Sequence, residues 1–240
     1  MRRQRHYRSW LAREGLVPFR VQVKETDLYI LARTPLEQEA EEAIITFRHQ
    51  LESYLTENPL FVESLVPLPL DPRAPEIVRE MLTASQKAGV GPMAGVAGAM
   101  AEFVGKTLLS ETPEVVVENG GDIFLQSSTE RKIGIFADRS PLNMRVGIRV
   151  PPERTPVGIC TSSGTVGHST SFGKADAVCV ISSSTALADA AATAVGNLVQ
   201  GKGDIEQALE WGRTIPGVEG IVIIVADALG AWGGYELVKL

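Results

Sequence analysis

Apolar and polar residues alternate over residues 19–23, and a second apolar-rich run follows at 27–32 after the turn-like Glu25-Thr26, which predicts an opening β-hairpin. The period then changes. Thr34-Pro35 reads as an N-cap with proline at the first helical position, and Ala40, Ala43, Ile44, Phe47, Leu51 and Leu55 fall on one stripe of a helix over about 36–57. The proline-rich stretch 66–72 is lined with apolar residues, so it reads as a stiff connector and not as a linker between domains. A second amphipathic helix is predicted over 75–88 and a third, of glycine and alanine, over 91–106. Residues 115–126 read as two strands around Asn119-Gly120, a strong hairpin signal, and 132–137 and 145–150 as further strands. After a long neutral segment, 155–173, the pattern gives a strand at 177–181, helices over 185–200 and 205–213, and strands near 221–225 and 235–238. Strands, helices and strands in each half suit an α+β layer architecture, duplicated in arrangement though without a repeat in the sequence.

Composition narrows this to one unit. With 240 residues and 44% hydrophobic content the chain can bury a substantial core, and a single domain over 1–240 is expected. The net charge is −6, and beyond the first dozen residues lysine and arginine are dispersed, so no basic footprint for nucleic acid exists. Cys160 and Cys179 form neither a disulfide framework nor a paired CxxC zinc pattern and read as buried free thiols. The basic start has no apolar region behind it, and no run approaches the roughly 18 apolar residues of a membrane span; a soluble, cytoplasmic protein is expected. Sheet edges and an uncharged middle suggest a homodimer.

Candidate chemistry concentrates in four segments. In the helix over 185–200, Leu187, Ala190, Ala191, Ala194, Val195 and Leu198 form a core stripe, yet the opposite side carries Ala188, Ala192 and Gly196, so the helix should be buried nearly all round. Asp189 is its only charge. A carboxylate there needs a cation, a metal or several hydrogen-bond donors, and Thr193 follows one turn later on the same face. Either Asp189 and Thr193 take part in an oxygen-rich Mg²⁺ site, or Asp189 caps the amides of a neighbouring loop. Segment 155–173 carries eight hydroxyl side chains and no charged residue in nineteen positions, which suits a phosphate cradle of hydroxyls and backbone amides. His168 within it is either a proton carrier or phosphate donor, or an incidental loop histidine. Ser162 and Ser163 are not in a GxSxG elbow, which argues against serine nucleophile chemistry. Gly91, Gly95 and Gly98 leave one helical face bare, for another backbone or for a ligand. The glycines of Glu118-Asn-Gly-Gly-Asp122 either only turn a hairpin or bring amides to a ligand.

Gly91-Pro-Met-Ala94, Asn119-Gly-Gly-Asp122, Thr161-Ser-Ser-Gly164 with His168 downstream, and Ala188-Asp-Ala-Ala-Ala-Thr-Ala194 occur in the order found in the ApbE-like flavin transferase superfamily, and the chain resembles its branch of uncharacterised proteins. The last segment is similar to the family's Ala-Asp-Ala-Leu-Ala-Thr-Ala signature. The resemblance implies a layered, T-fold-like arrangement, and a protein that binds FAD with Mg²⁺ and transfers FMN to a threonine or serine of a flavoprotein, or cleaves the FAD pyrophosphate. It implies Asp189, Thr193 and the carbonyl of Ala94 as metal ligands. His168 would then lie by the transferred phosphate, and Gly91, Ala94, Gly95, Asn119, Gly120, Gly121, Asp122, Thr161, Ser162, Ser163 and Gly164 would bind the FAD or FMN. Two departures stand out: Gly95 replaces a usual lysine, and the segment after His168 lacks an Asp-Pro ending. The alternative is a non-catalytic ligand-binding or interaction module on the same scaffold.

Overall fold

The alternating opening segment forms β1 (Val17–Val23), paired antiparallel with β2 (Thr26–Ala32) so that Phe19 lies opposite Ile30 and Val21 opposite Leu28. This geometry comes from a computed structural model, which describes residues 15–164 and 173–240. Next come α1 (Glu37–Glu57), the single turn α2 (Leu60–Glu63), α3 (Glu76–Ala88) and α4 (Val96–Leu108). Strands β3 (Val115–Asn119), β4 (Asp122–Gln126), β5 (Arg131–Gly134), β6 (Val146–Val150), β7 (Val157–Ser162) and β8 (Ala177–Ser182) follow. The chain ends with α5 (Thr185–Asn197), α6 (Ile205–Gly212), β9 (Val218–Val225), β10 (Ala228–Gly233) and β11 (Glu236–Lys239).

Eight strands make one sheet in the order β1-β2-β3-β4-β7-β8-β9-β10, and β11-β6-β5 make a smaller one. Every pair is antiparallel. Two cores result, because alternate residues of a strand point to opposite faces. Phe19, Leu28, Ile30, Val117, Phe124 and Val180 pack against the helices, whereas Leu31, Val116, Leu125, Ile159, Ile181 and Ile224 pack towards the small sheet with Ile133 and Ile148. The molecule is therefore three layers deep, with helices on one face of the large sheet and strands on the other. Within the large sheet two strands, a helical stretch and two strands run from β1 to β4, and the same order runs from β7 to β10.

The helix after the first hairpin starts at Glu37 with Leu36 as its cap residue and no side-chain capping bond, so Thr34 does not cap it; buried Leu36 anchors the entry instead. The glycine-alanine helix begins as a 3₁₀ turn, Pro92–Gly95, before α4 proper. Two strands escape the sequence pattern. Residues 157–162, part of the long neutral segment in which the pattern predicts no strand, are the central strand β7, and β10 lies between the two strands expected at the end of the chain. Leu198 leaves the predicted core stripe: it caps the end of α5 and is 43% exposed. The connector 66–72 is apolar, but Val66 and Leu70 face outward. Among the described residues no helix is long and apolar enough to cross a membrane.

Candidate functional site

The N-terminus of α4 is the point on which the predicted segments converge. Pro92 opens the 3₁₀ turn at a position that needs no N–H, and the chain then passes through Ala94 and Gly95 into the helix, leaving the first amides of α4 without intrahelical partners. Asp189 of α5 takes them up: its Oδ2 accepts a hydrogen bond from the Gly98 N–H at 2.9 Å, and the Ala97 amide donates as well. Amide capping, one of the two roles open to this aspartate, is thus what its geometry displays. The approach is close because Gly98 has no side chain; a Cβ there would sit 2.4 Å from the Thr185 carbonyl oxygen and 2.8 Å from the Asp189 Cβ.

The β3–β4 hairpin meets the same helix end. Gly120 and Gly121 both have positive φ, 72° and 118°, which is what a two-residue turn between antiparallel strands demands. The turn presents Asn119, whose Nδ2 donates to the Ala97 carbonyl at 3.1 Å, and Asp122. Glu118, buried, steadies the turn by accepting from the Gly121 N–H at 2.9 Å.

Asp122 pairs across the sheet with Cys160 of β7 and shares its face. Burial pushes the Asp122 carboxyl well above the usual carboxylate range, and the charges of Asp189 and Glu118 add to this; contacts with Cys160 and the Thr161 amide oppose it. Burial lifts the Asp189 carboxyl too, against the two amides that donate to it. Burial likewise raises the Cys160 thiol, with Asp122 and Asp189 next in effect. Among the described residues neither Asp122 nor Asp189 has an ion-pair partner: thiol, amides and another carboxylate surround them. Asp122 is buried and Asp189 half-buried.

At the end of β7, Ser162 lies on the same face as Cys160, and its buried Oγ has no hydrogen-bond partner among the described residues. Thr161 points the other way, towards Cys179, and meets the site through its backbone alone. Ser163 and Gly164 follow, and a Cβ on Gly164 would strike the Gly173 carbonyl oxygen at 2.0 Å, so this glycine is required by backbone packing. Gly91 is explained in the same way: a Cβ would lie 1.8 Å from the Ser64 carbonyl oxygen. Gly95 lacks room for a side chain, since a Cβ there would lie 2.9 Å from the Ala186 carbonyl oxygen. Thr193 is buried one turn beyond Asp189. His168 lies outside the described residues.

Ala94, Asn119, Asp122, Ser162 and Asp189 thus belong to segments gathered around one helix end. Among the described residues no cluster of three His, Cys, Asp or Glu side chains is arranged to hold a metal. A cation at this corner would draw on carboxylate, hydroxyl, carbonyl and water oxygens, the donors that Mg²⁺ prefers, and two neighbouring carboxylates with no ion-pair partner among the described residues fit such an ion. Sequence reasoning missed Glu102, buried on α4, which accepts from the first amides of α5. The signal was present, since Glu102 is the only acid in α4 just as Asp189 is in α5.

Known proteins resemble this chain in sequence and in fold. A family model described as AbpE bacteria matches residues 8–233. A UPF0280 protein of Methanocaldococcus jannaschii is 43% identical over 227 residues, covering 92% of each chain. Among solved structures, the apo form of the flavinyl transferase ApbE of Pseudomonas stutzeri aligns with a TM-score of 0.60 at 15% identity, over 93% of this chain and 94% of its own. The ApbE protein of Thermotoga maritima aligns with a TM-score of 0.57 at 12% identity, over 90% and 96%. Those two likenesses are of fold, whereas the family match and the archaeal relative extend along almost the whole sequence, and on them this chain belongs to the AbpE bacteria family.

Proposed function

We propose that this protein binds a flavin dinucleotide with a divalent cation at the corner formed by α4, α5 and the β3–β4 turn, and transfers FMN from FAD to a hydroxyl of an acceptor protein. The observation that carries the reading is the pair of neighbouring carboxylates, Asp122 buried and Asp189 half-buried, with no ion-pair partner among the described residues. Asp189, Thr193 and the Ala94 carbonyl would hold the cation. When bound, it would polarise the pyrophosphate and offset charge in phosphoryl transfer.

The chain's own residues supply the positioning. Donation from the Ala97 and Gly98 amides favours the ionised form of Asp189 and fixes its direction, so the positive end of α4 is spent on this carboxylate and is not free to cradle a phosphate. Ser162, whose buried Oγ has no hydrogen-bond partner among the described residues, would meet a ligand oxygen. Transfer breaks the P–O bond within the pyrophosphate and forms a phosphoester with the acceptor hydroxyl; AMP leaves, and the hydroxyl proton passes to solvent or the leaving phosphate. His168 is the residue to substitute as the candidate proton carrier.

Calorimetric titration with FAD, FMN and ADP, with and without Mg²⁺, tests the reading. Metal-dependent FAD binding that disappears in a folded Asp189→Ala variant is expected; binding unchanged in that variant would overturn the metal assignment. One observation favours a second reading, binding without transfer: Gly95 leaves no cation where the resembling enzymes have lysine. Mass spectrometry of a co-expressed flavoprotein separates the two, since only transfer adds the mass of FMN.

A further inference from the structure

The two helices at this corner cap one another. Asp189 of α5 holds the first amides of α4, and Glu102 of α4 holds the first amides of α5: its Oε2 accepts from the Thr185 N–H at 2.7 Å and the Ala186 N–H at 3.4 Å. Glu102 is 3% exposed, and its other oxygen accepts from the exposed Lys106 Nζ at 2.7 Å. The next amide of α5, that of Leu187, is taken by the Ser184 hydroxyl at 3.2 Å. Between the two carboxylates the helices touch backbone to backbone at Gly98, where no side chain could absorb a slip. A shift of α5 against α4 would break both sets of bonds together and leave buried amides without partners, which is costly.

We propose that Glu102 is a positioning residue of the site: by fixing the start of α5 against α4 it sets where the Asp189 carboxylate stands, although its hydrogen bonds go to Thr185, Ala186 and Lys106 and not to Asp189's amide donors. The functional half of this statement rests on Asp189 being a ligand of the cation. The structural half stands by itself.

Two conservative variants of the full chain test it. Glu102→Gln keeps the length and an oxygen that accepts the same N–H bonds, while Glu102→Asp keeps the charge but is one methylene too short to reach them. Amide hydrogen exchange followed by NMR reads the Gly98 N–H, which Glu102 does not contact, with amides of β3 as an internal reference for global stability. The Gly98 amide is expected to exchange on the order of ten times faster in Glu102→Asp, relative to β3, and to stay within about threefold of wild type in Glu102→Gln. Metal-dependent FAD affinity should fall roughly 10- to 100-fold in the first variant and be preserved in the second. Equal Gly98 protection in both variants, or a loss that β3 shares in full, overturns the proposal. Should wild type bind no FAD under either condition, the flavin reading fails while the exchange data still decide the role of Glu102.

Discussion

The Asp189 charge adds to the burial that lifts the Asp122 carboxyl, and removing Asp122 should show what that burial costs. Asp122→Asn relieves the burial of a second charge while keeping the side chain's shape. The ligand-free variant is expected to gain about 0.5–2 kcal/mol, roughly 1–8 °C in Tm, and to lose affinity for a divalent cation. Differential scanning calorimetry and a Mg²⁺ titration measure the two effects, and a fall in Tm would mean that the carboxylate is paired in a way its surroundings do not show. At this scale the sequence was informative where a residue broke the composition of its element. Asp189 was visible as the single charge of an alanine helix, and Asn119-Gly-Gly-Asp122 as a turn. The direction of Thr161 was not, because it depends on the phase of a strand that was not foreseen. Gly91 and Gly95, read as places where a ligand or backbone could approach, are filled by the Ser64 and Ala186 carbonyls, a fact that only tertiary packing supplies.

The crossing of α4 and α5 depends on a bare glycine face. Gly98→Ala places a methyl against the Thr185 carbonyl, a backbone atom that cannot swing aside. A loss of about 1–3 kcal/mol is expected from chemical denaturation, together with weakened cation-dependent ligand binding, since the helices must part where Asp189 reaches across. Gly89→Ala is the control: the space around it is open, though its positive φ of 73° makes the change mildly unfavourable. Helices were the legible elements, because a 3.6-residue period over thirteen or more positions outweighs single exceptions, as in α1, α3 and α5. β7 was hidden by its own packing. Val157 and Ile159 face one core, but Gly158 and Cys160 face α5, where small residues are needed: a Cβ on Gly158 would lie 2.4 Å from the Thr185 Cα. Its two-residue alternation therefore looks like a run of glycine, cysteine and hydroxyls.

Across the whole molecule the layers are joined by charge as well as by apolar contact. Glu114, fully buried just before β3, accepts from Arg131 of β5 at 3.1 Å and from Ser127 and Ser128 at 2.8 and 2.7 Å, and it pairs with Arg33 beyond β2. Burial alone would raise its carboxyl, but these four partners together hold it at about 2 against an ordinary 4.5. A carboxylate lowered in the fold contributes its stability above the unfolded value and loses it as pH falls through the folded one. Thermal unfolding followed from pH 6 downward should therefore show this contribution fade between about 4.5 and 2. Glu114→Gln should be less stable by about 3 kcal/mol near neutrality, with the two profiles converging in acid. Parallel profiles would show that the network contributes nothing that depends on ionisation. None of this was legible beforehand, since Glu114, Arg33 and Arg131 are far apart in the chain, and β11 joins β6 instead of the large sheet. Fold class was legible because it follows from the order of elements; how the sheets divide them was not.

The mutual capping of α4 and α5 also has a bearing on inheritance. One helix lies among the elements between β1 and β4, the other among those between β7 and β10. Each end donates its amides to an acid encoded in the opposite half of the gene, so a recombinant that joins the front of one homologue to the back of another keeps a working corner only when both acids arrive at matching positions. Substitutions at Glu102 and Asp189 should accordingly be epistatic, each altering what the other can tolerate.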